Sequence, residues 1–280
     1  MRPFAGDIET VQMQAINNWL RITPRCEIIL VVDEESTTAK KVGGLGVKII
    51  DVKRSISGVP LLDSMFEEVV KIAKYDVICY ITADILLSKD FSDEILKFHN
   101  NAFSKFGNYA GISCRYDLLD KDILKGDLTD DEYYNLCLKH SKKRRRSGID
   151  LWVLHKKTKV TYLPFPIGRC LTDNWFVSYC KYNSIKVVDF SEQIKIVHQN
   201  HGKPAHKSPY FLVEKIICHL LFEDAAQKAM DIYDADYLYF DSKFHKPRGL
   251  RLLFSKLSKF YPYRVILGIR RKSRNKLYHV

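Results

Sequence analysis

The sequence predicts an α/β protein whose central sheet is mostly parallel and flanked by helices. Three apolar runs have the length of a strand, at residues 27–32, 47–52 and 76–81, and helical segments separate them. Uniformly apolar strands are typical of a sheet covered on both faces, and strands that alternate with helices are typical of parallel pairing. At 280 residues the chain is long enough for one large domain with a sizeable core.

Two of the helices are predicted from the spacing of their apolar residues. Residues 7–22 place Val11, Ala15 and Trp19 on one helical face, and Pro24 follows the end of this segment. Residues 60–74 begin with a proline, which is favoured in the first turn of a helix, and continue with an apolar stripe at helical spacing. Both segments are predicted to pack against the sheet.

The net charge of +12 comes from one end of the chain. Residues 243–280 contain twelve Lys or Arg and no Asp or Glu, whereas residues 1–242 contain 33 basic and 33 acidic residues. We therefore predict a neutral domain over residues 1–242 and a basic helical tail over residues 243–280.

Cysteine usage and hydropathy favour a cytoplasmic protein. The seven cysteines are scattered and form no CxxC pair, which favours reduced, buried thiols over a zinc site or a disulfide framework. No apolar run approaches the length of a membrane-spanning helix, and the residues "MRPFAGDIET" do not resemble a signal peptide.

Two aspartates follow predicted strands. Asp33 comes directly after the run at 27–32, and Asp84 lies inside the apolar stretch "DVICYITADILL". Because ligands of open α/β sheets bind beyond the carboxyl ends of the strands, these carboxylates suggest a cleft for a polar or metal-bound ligand. The alternative is that Asp84 caps the turn after its strand and Asp33 caps the next helix.

A family resemblance supports the cleft. The order "CEIILVVDEEST", "GVKIIDV" and "YDVICYITADI" resembles the nucleotide-sugar half of GT-A fold glycosyltransferases of family 2. In that family an aspartate after an early strand holds the nucleotide base, and a D-x-D motif follows a later strand. Asp33 matches the first position, and Thr82-Ala83-Asp84 occupies the second, with Thr82 in place of the first acid. The motif is similar to the Asn-Ala-Asp of a bacterial branch of polysaccharide glycosyltransferase-like proteins.

The resemblance extends over roughly residues 3 to 242 and implies a metal-dependent, inverting glycosyltransferase. The donor would be a nucleotide-diphosphate sugar, with UDP-sugars favoured, and the acceptor a saccharide or lipid-linked saccharide. A divalent cation, Mn²⁺ or Mg²⁺, offsets the charge of the leaving diphosphate in such reactions. Asp84 is the implied metal ligand, with His198 or His201 of "VHQNH" as the second ligand. Alternatively, both histidines only hydrogen-bond a loop.

The other site residues also come from this resemblance. An acidic residue that opens the helix after a glycine-containing loop acts as the base, and Asp173 of "IGRCLTDNWF" holds that place. Its alternative role is a first-turn residue stabilised by the helix dipole. The predicted donor-binding residues are Asp33, Thr82, Asp84, Arg115 and Arg169; for the two arginines, surface ion pairs are the alternative. Trp175 fits an acceptor platform or, more simply, the core.

Two other functions stay open. A sugar nucleotidyltransferase would share the fold, but it needs a glycine-rich phosphate loop near the N-terminus, which is not present. A non-catalytic binding or scaffolding subunit of a polysaccharide assembly complex fits Thr82 in the D-x-D motif. It also fits a chain that begins in the loop after the fold's usual first strand.

The basic tail predicts a surface partner. Residues 248–276 combine an apolar stripe at helical spacing with many Lys and Arg, a pattern typical of a helix that lies on an anionic membrane. We expect peripheral attachment at the cytoplasmic membrane face. A docked helix with a solvated basic face is the alternative, and nucleic acid is not expected as a partner because no known binding module is present.

Overall fold

A computed structural model describes residues 6–33, 36–120, 123, 127–144, 148–169, 172–201, 209–225 and 230–258. The helices within these ranges are α1 (Asp7–Leu20), α2 (Thr37–Val42), α3 (Leu62–Ile72), α4 (Phe91–Phe106), α5 (Asp130–Lys139), α6 (Thr172–Tyr182), α7 (Phe211–Ala225) and α8 (Gly249–Ser258). The strands are β1 (Ile29–Val31), β2 (Lys48–Ile50), β3 (Val77–Ile81), β4 (Ile85–Leu86), β5 (Tyr109–Leu118), β6 (Ser141–Lys143), β7 (Ile149–His155), β8 (Lys186–Asp189), β9 (Ile196–His198), β10 (Tyr237–Phe240) and β11 (Lys243–His245). The three predicted strands and both predicted helices are therefore present.

The central sheet is mixed, so the α/β class holds but the mostly parallel sheet is not confirmed. Its main path runs β11-β10-β8-β5-β7-β3. Strands β6 and β9 pair with the second half of β5, and β4 joins the sheet through β9. Strands β5, β8 and β10 are parallel to one another, whereas β7 is antiparallel to both of its neighbours. The early strands β1 and β2 pair in parallel in a separate sheet. The three apolar runs used for the prediction, at residues 27–32, 47–52 and 76–81, do not include β7 and so could not predict that it runs antiparallel to its neighbours.

Helices cover both faces of the sheet, as the apolar strands predicted. Along β7, Leu151 and Val153 pack in a core with α1, α2 and α4, while Trp152 and Leu154 pack in a second core with α3, α6 and α7. This alternation follows from the two-residue period of a strand. A smaller core joins α5 to β9 and the end of β5.

The sheet continues beyond the predicted domain boundary at residue 242. Strand β11 pairs with β10, and α8 then packs on the domain through Arg251, whose Nη1 donates to Asp189 at 2.7 Å. Ser255 donates to Asp234 at 2.7 Å, so the polar side of α8 faces inward. Three leucines of α8 remain exposed, namely Leu250, Leu252 and Leu253. Residues 259–280, which include most of the predicted tail, lie outside the described residues.

Along the described part of the chain, no helix has both the length and the apolar character needed to cross a membrane.

Candidate metal centre and neighbouring carboxylates

Asp84 lies in the tight turn between β3 and β4, where the sequence predicted a ligand site. Thr82 Oγ1 donates a hydrogen bond of 2.8 Å to Asp84 Oδ1. On the other carboxylate oxygen, His201 Nε2 lies at 3.0 Å and His198 Nε2 at 3.5 Å. The half-buried carboxylate therefore has the partners that its apolar surroundings require.

Strand pairing brings the two histidines to Asp84. Strand β9 lies between β4 and β5, with His198 opposite Ile85 on one side and opposite Asp117 on the other. His198 Nδ1 is 3.6 Å from Asp117 Oδ1, so a second carboxylate lies beside this ring without a hydrogen bond to it. The backbone N–H of Gln199 donates to the Asp84 carbonyl at 3.0 Å and fixes the start of the segment that carries His201.

The electrostatics of Asp84 favour its ionised form. Burial alone would raise the pKa of Asp84, but hydrogen bonds from His198, His201 and Thr82, together with the charge of His198, hold that pKa well below its usual range. A carboxylate that is ionised at any ordinary pH can bind a cation.

The three side chains fit a metal ion. One ligand atom from each of Asp84, His198 and His201 lies within 4.8 Å of the others, which makes this a candidate metal site of one carboxylate and two imidazoles. Imidazole ligands suit transition metals, and carboxylates suit Mn²⁺ as well as Mg²⁺. Mg²⁺ usually binds through oxygen ligands and retained water, so this mixed set fits Mn²⁺ better than Mg²⁺.

Arg115 lies on β5 beside this site and is neutralised by two carboxylates. Its Nε donates to Asp117 at 2.7 Å, and its Nη1 donates to Asp150 at 2.7 Å. Asp117 also pairs with Arg144, whose Nε is 3.1 Å away. A β-bulge between Ser113 and Cys114 shifts the register of β5 against β7 just before Arg115, a common feature next to functional sites.

Asp173 lies in the first turn of α6 and accepts a hydrogen bond of 3.2 Å from the backbone N–H of Ile149. Burial and the charge of Asp150 raise the pKa of Asp173 to about 7, against the smaller lowering effects of the Ile149 N–H and Arg115. Asp150 has a raised pKa as well, because burial and the charge of Asp84 outweigh Arg115. The charge of Asp150 therefore contributes to the raised pKa of Asp173.

Tyr80 shows that the carboxylates share one region. Burial raises the pKa of this tyrosine, and the charges of Asp173, Asp150 and Asp84 each raise it further. Asp84, Asp150 and Asp173 are therefore all close enough to Tyr80 for their charges to act on it.

The remaining predicted site residues lie elsewhere. Asp33 is exposed after the end of β1, and its backbone carbonyl accepts a hydrogen bond from the N–H of Ser36. The N-cap of α2 is Ser36, through its side chain. Arg169 pairs with Glu214 of α7, and both side chains are buried, with exposures of 6% and 0%. Trp175 is fully buried against aromatic side chains and belongs to the core.

Asp117 and Asp150 were not predicted from the sequence, although a signal for each existed. Asp117 follows Arg115 by two residues, so the two share one face of a strand. Asp150 lies in the apolar run "GIDLWVL", the same kind of frame that drew attention to Asp84.

A separate surface depression of about 470 Å³ opens between α4 and α5. Its lining contains none of the residues around Asp84, since it consists of Thr23, Ser88, Lys89, Asp90, Asp131, Tyr134 and Asn135. The candidate functional site is therefore the cluster of ionisable groups around Asp84 and not this depression, whose shape alone indicates no reaction or ligand.

Comparison of the chain with models of known protein families gave no match, and a search of the curated proteins gave none either. The fold and the site therefore define the protein as an α/β protein with a candidate metal centre that ion pairs of Arg115 connect to the carboxylate of Asp150.

Proposed function

We propose that this protein is a metal-dependent glycosyltransferase that moves a sugar from a nucleotide-diphosphate donor to a hydroxyl of a saccharide acceptor, with inversion. The observation that supports the proposal is a chain of contacts between the candidate groups. His198 lies within 3.6 Å of both Asp84 and Asp117, and Arg115 joins Asp117 to Asp150. The N–H of Ile149, next to Asp150 in the chain, donates to Asp173. A cation site and a base close to neutrality are the two groups that such a transfer requires.

Asp84, His198 and His201 would hold the cation, for which Mn²⁺ suits the two imidazoles better than Mg²⁺. When bound, the cation would offset the negative charge of the donor diphosphate and of the leaving nucleotide. Asp117 and Asp150 pair with Arg115 and Arg144, whereas the side-chain partners of Asp84 among the described residues are histidines and Thr82, so the Asp84 charge is available to a cation. Thr82 orients Asp84 through its hydroxyl and supplies no charge of its own.

Asp173 would take the proton from the acceptor hydroxyl. A general base acts best when its pKa is close to the working pH, and the pKa of Asp173 is raised to about 7. Asp150 raises that pKa and is held in place by Arg115, so it acts as a positioning and tuning residue. The Ile149 N–H donates to Asp173 Oδ2 and holds this carboxylate at the start of α6.

A second candidate function is a non-catalytic binding subunit of a polysaccharide assembly complex. Two observations favour it. Thr82 stands where the resembling family has its first acid, and the two arginines predicted to bind the diphosphate are already paired, Arg115 with Asp117 and Asp150, and Arg169 with Glu214. Their roles in donor binding, like that of Asp33, stay predictions.

The membrane prediction for residues 248–276 also stays a proposal, and α8 supports it. On the polar side of α8, Arg251 binds Asp189 and Ser255 binds Asp234. The exposed leucines of α8 face outward. That arrangement fits a helix lying on a bilayer better than a docked helix with a solvated basic face. A lipid-linked acceptor would then be presented at the same surface.

The decisive experiment measures release of nucleotide from a panel of nucleotide-diphosphate sugars, UDP-sugars first, with Mn²⁺, with Mg²⁺ and with a chelator. The proposal expects metal-dependent release, strongest with Mn²⁺, that is lost in His201→Gln and in Asp173→Asn. Donor binding in calorimetry without any release would support the non-catalytic subunit. Absence of both binding and release across the panel would overturn the proposal.

A further inference from the structure

Helix α1 carries a buried polar side chain whose oxygen has no partner. Gln12 is 5% exposed, and within the described structure no hydrogen bond reaches its Oε1. The other residues on this face of the helix, Ala15, Ile16 and Trp19, belong to the apolar core. An unpaired polar atom in a core costs free energy, so it requires an explanation such as a bound ion.

The face of α1 that carries Gln12 packs on the strand that follows Asp84. Residues seven apart in a helix share one face, so Gln12 and Trp19 lie on the same side of α1. Trp19 Nε1 donates to the backbone carbonyl of Ile85 at 2.9 Å, and Ile85 begins β4. Seven residues of helix span about 10 Å, so Gln12 lies about two turns closer to the N-terminus of α1 than this contact does.

Gln199 connects the turn of α1 that carries Gln12 to the candidate metal site. Its Nε2 donates to the Val11 carbonyl at 3.0 Å and lies 3.5 Å from the Asp84 carbonyl. Its backbone N–H donates to the same Asp84 carbonyl at 3.0 Å. Gln199 directly follows the candidate ligand His198, and Gln12 directly follows Val11. One bridging side chain therefore joins the unpaired oxygen's turn of α1 to the residues of the metal site.

We infer that Gln12 supplies a further oxygen ligand to the cation of the Asp84 site. Carbonyl oxygens suit Mn²⁺, which favours about six ligands, so one carboxylate and two imidazoles leave positions open. An amide oxygen adds a ligand without adding charge, as Thr82 leaves the D-x-D segment with a single acid. The inference rests on the cation site of the proposed function, and it adds a ligand from a helix that the family resemblance did not single out.

The first test titrates the full, metal-free chain with Mn²⁺ by calorimetry. Gln12→Met keeps a side chain of similar length and removes the oxygen, so its affinity for Mn²⁺ should fall by about ten-fold. Gln12→Glu keeps an oxygen at this position and should bind Mn²⁺ at least as tightly as the wild type. Gln14→Met is the matched control on the side of α1 that faces α5, and it should bind as the wild type does.

Thermal unfolding without metal distinguishes a ligand from a structural residue. Gln12→Met removes an unpaired buried oxygen, so the Tm of the metal-free variant should rise although its Mn²⁺ affinity falls. A lower Tm with unchanged Mn²⁺ affinity would overturn the inference, because Gln12 would then only stabilise the fold.

Asp84→Asn, titrated in parallel, separates this inference from the cation site itself. Weaker Mn²⁺ binding in Asp84→Asn but not in Gln12→Met would overturn the role of Gln12 and leave the cation site in place. Unchanged binding in both variants, or no binding by the wild type, would overturn the cation site and the role of Gln12 with it.

Discussion

His201 Nε2 lies 3.0 Å from Asp84 Oδ2, although 117 residues separate the two along the chain. The contact exists because β9, which leads to His201, pairs with β4, which begins directly after Asp84. The Asp84 carboxylate can therefore accept hydrogen bonds from protonated imidazole nitrogens, or it can bind a cation together with the two histidines. Competition between protons and metal for the same atoms follows from this geometry.

The metal site can be tested by binding alone. In Asp84→Asn and in His201→Gln we expect the affinity for Mn²⁺ to fall by about ten-fold or more, because each variant removes one of three ligands. Isothermal titration calorimetry with Mn²⁺, Mg²⁺ and Zn²⁺ measures this and shows whether the imidazoles select a transition metal. Asp93→Asn, in the first turn of α4, serves as the control carboxylate and should bind as the wild type does. Unchanged Mn²⁺ affinity in Asp84→Asn would exclude Asp84 as a ligand.

Part of this site was predictable from the sequence and part was not. An aspartate in an apolar frame after a buried strand is a local pattern, so the position of Asp84 could be singled out, whereas the metal-binding role of Asp84 and the base role of Asp173 came from the family resemblance. The surroundings of Asp84 depend on strand pairing between segments more than 100 residues apart, as the contact with His201 shows. The antiparallel insertion of β7, which brings Asp150 to Arg115, has no local signature for the same reason.

The arginines illustrate the same limit. Arg115 and Arg169 each had two interpretations in the sequence, donor binding or an ion pair. The structure pairs both with carboxylates, and for Arg169 the partner lies 45 residues away on α7. The packing of elements that are distant in sequence determines which carboxylate pairs with a given arginine. The spacing of residues along the chain does not predict that pairing.

The raised pKa of Asp173 predicts a pH dependence. Asp173 acts as a base only when it is deprotonated, so the transfer rate should rise with pH through an apparent pKa of about 7. Asp150→Asn removes the neighbouring negative charge, which lowers the pKa of Asp173 and moves this rise to lower pH. The profile of kcat/KM against pH for both proteins measures the shift. A rise at the same pH in both would show that Asp150 does not tune the base.

The raised pKa is also visible without turnover. Because folding raises the pKa of Asp173 from 3.8 to about 7, the folded protein holds a proton there that the unfolded chain releases. This group therefore stabilises the fold less as the pH rises from about 4 to about 7. Asp173→Asn removes that part of the pH dependence, so its Tm should increase relative to the wild type toward alkaline pH. Thermal unfolding by circular dichroism over this range is the measurement.

The pair of Arg169 and Glu214 should matter for stability. Glu214→Ala leaves the Arg169 charge buried without its main partner, and we expect a loss of about 3 kcal/mol in the free energy of unfolding. The double variant Arg169→Met/Glu214→Leu removes both charges and should recover most of that loss. Urea unfolding measures both. If the double variant is stable and still binds a nucleotide-sugar donor as the wild type does, Arg169 has a structural role and is not a donor ligand.

Gly111 in the middle of β5 should tolerate no side chain. A Cβ at this position would lie 2.5 Å from Phe98 and 2.6 Å from Phe190, both in a tightly packed aromatic cluster. We expect Gly111→Ala to cost about 1–3 kcal/mol of stability through overpacking. Gly44→Ala is the matched control, because a Cβ there meets no atom within 4 Å. Equal unfolding midpoints for the two variants would contradict the close packing of β5 against α4.

The last prediction concerns the basic tail. A version that ends at Ser258 keeps β11 and α8, whose contacts with Asp189 and Asp234 stabilise the domain, and it removes seven of the twelve Lys and Arg found after residue 242. Each basic residue close to an anionic surface contributes about 1 kcal/mol at low salt. We therefore expect the truncated protein to bind anionic vesicles more weakly than the full chain, and with a shallower dependence on salt.

Salt separates the charge contribution of the tail from the apolar contribution of α8. Charge attraction is screened as salt is added, whereas burial of apolar side chains is not. At high salt the full chain and the version ending at Ser258 should converge on the same residual affinity, which the exposed leucines of α8 supply. Co-sedimentation over a salt series measures this, with neutral phosphatidylcholine vesicles as the control that should bind both proteins poorly. If truncation leaves the affinity and its salt dependence unchanged at low salt, residues 259–280 do not contact the membrane, and the basic charge of this segment serves another purpose.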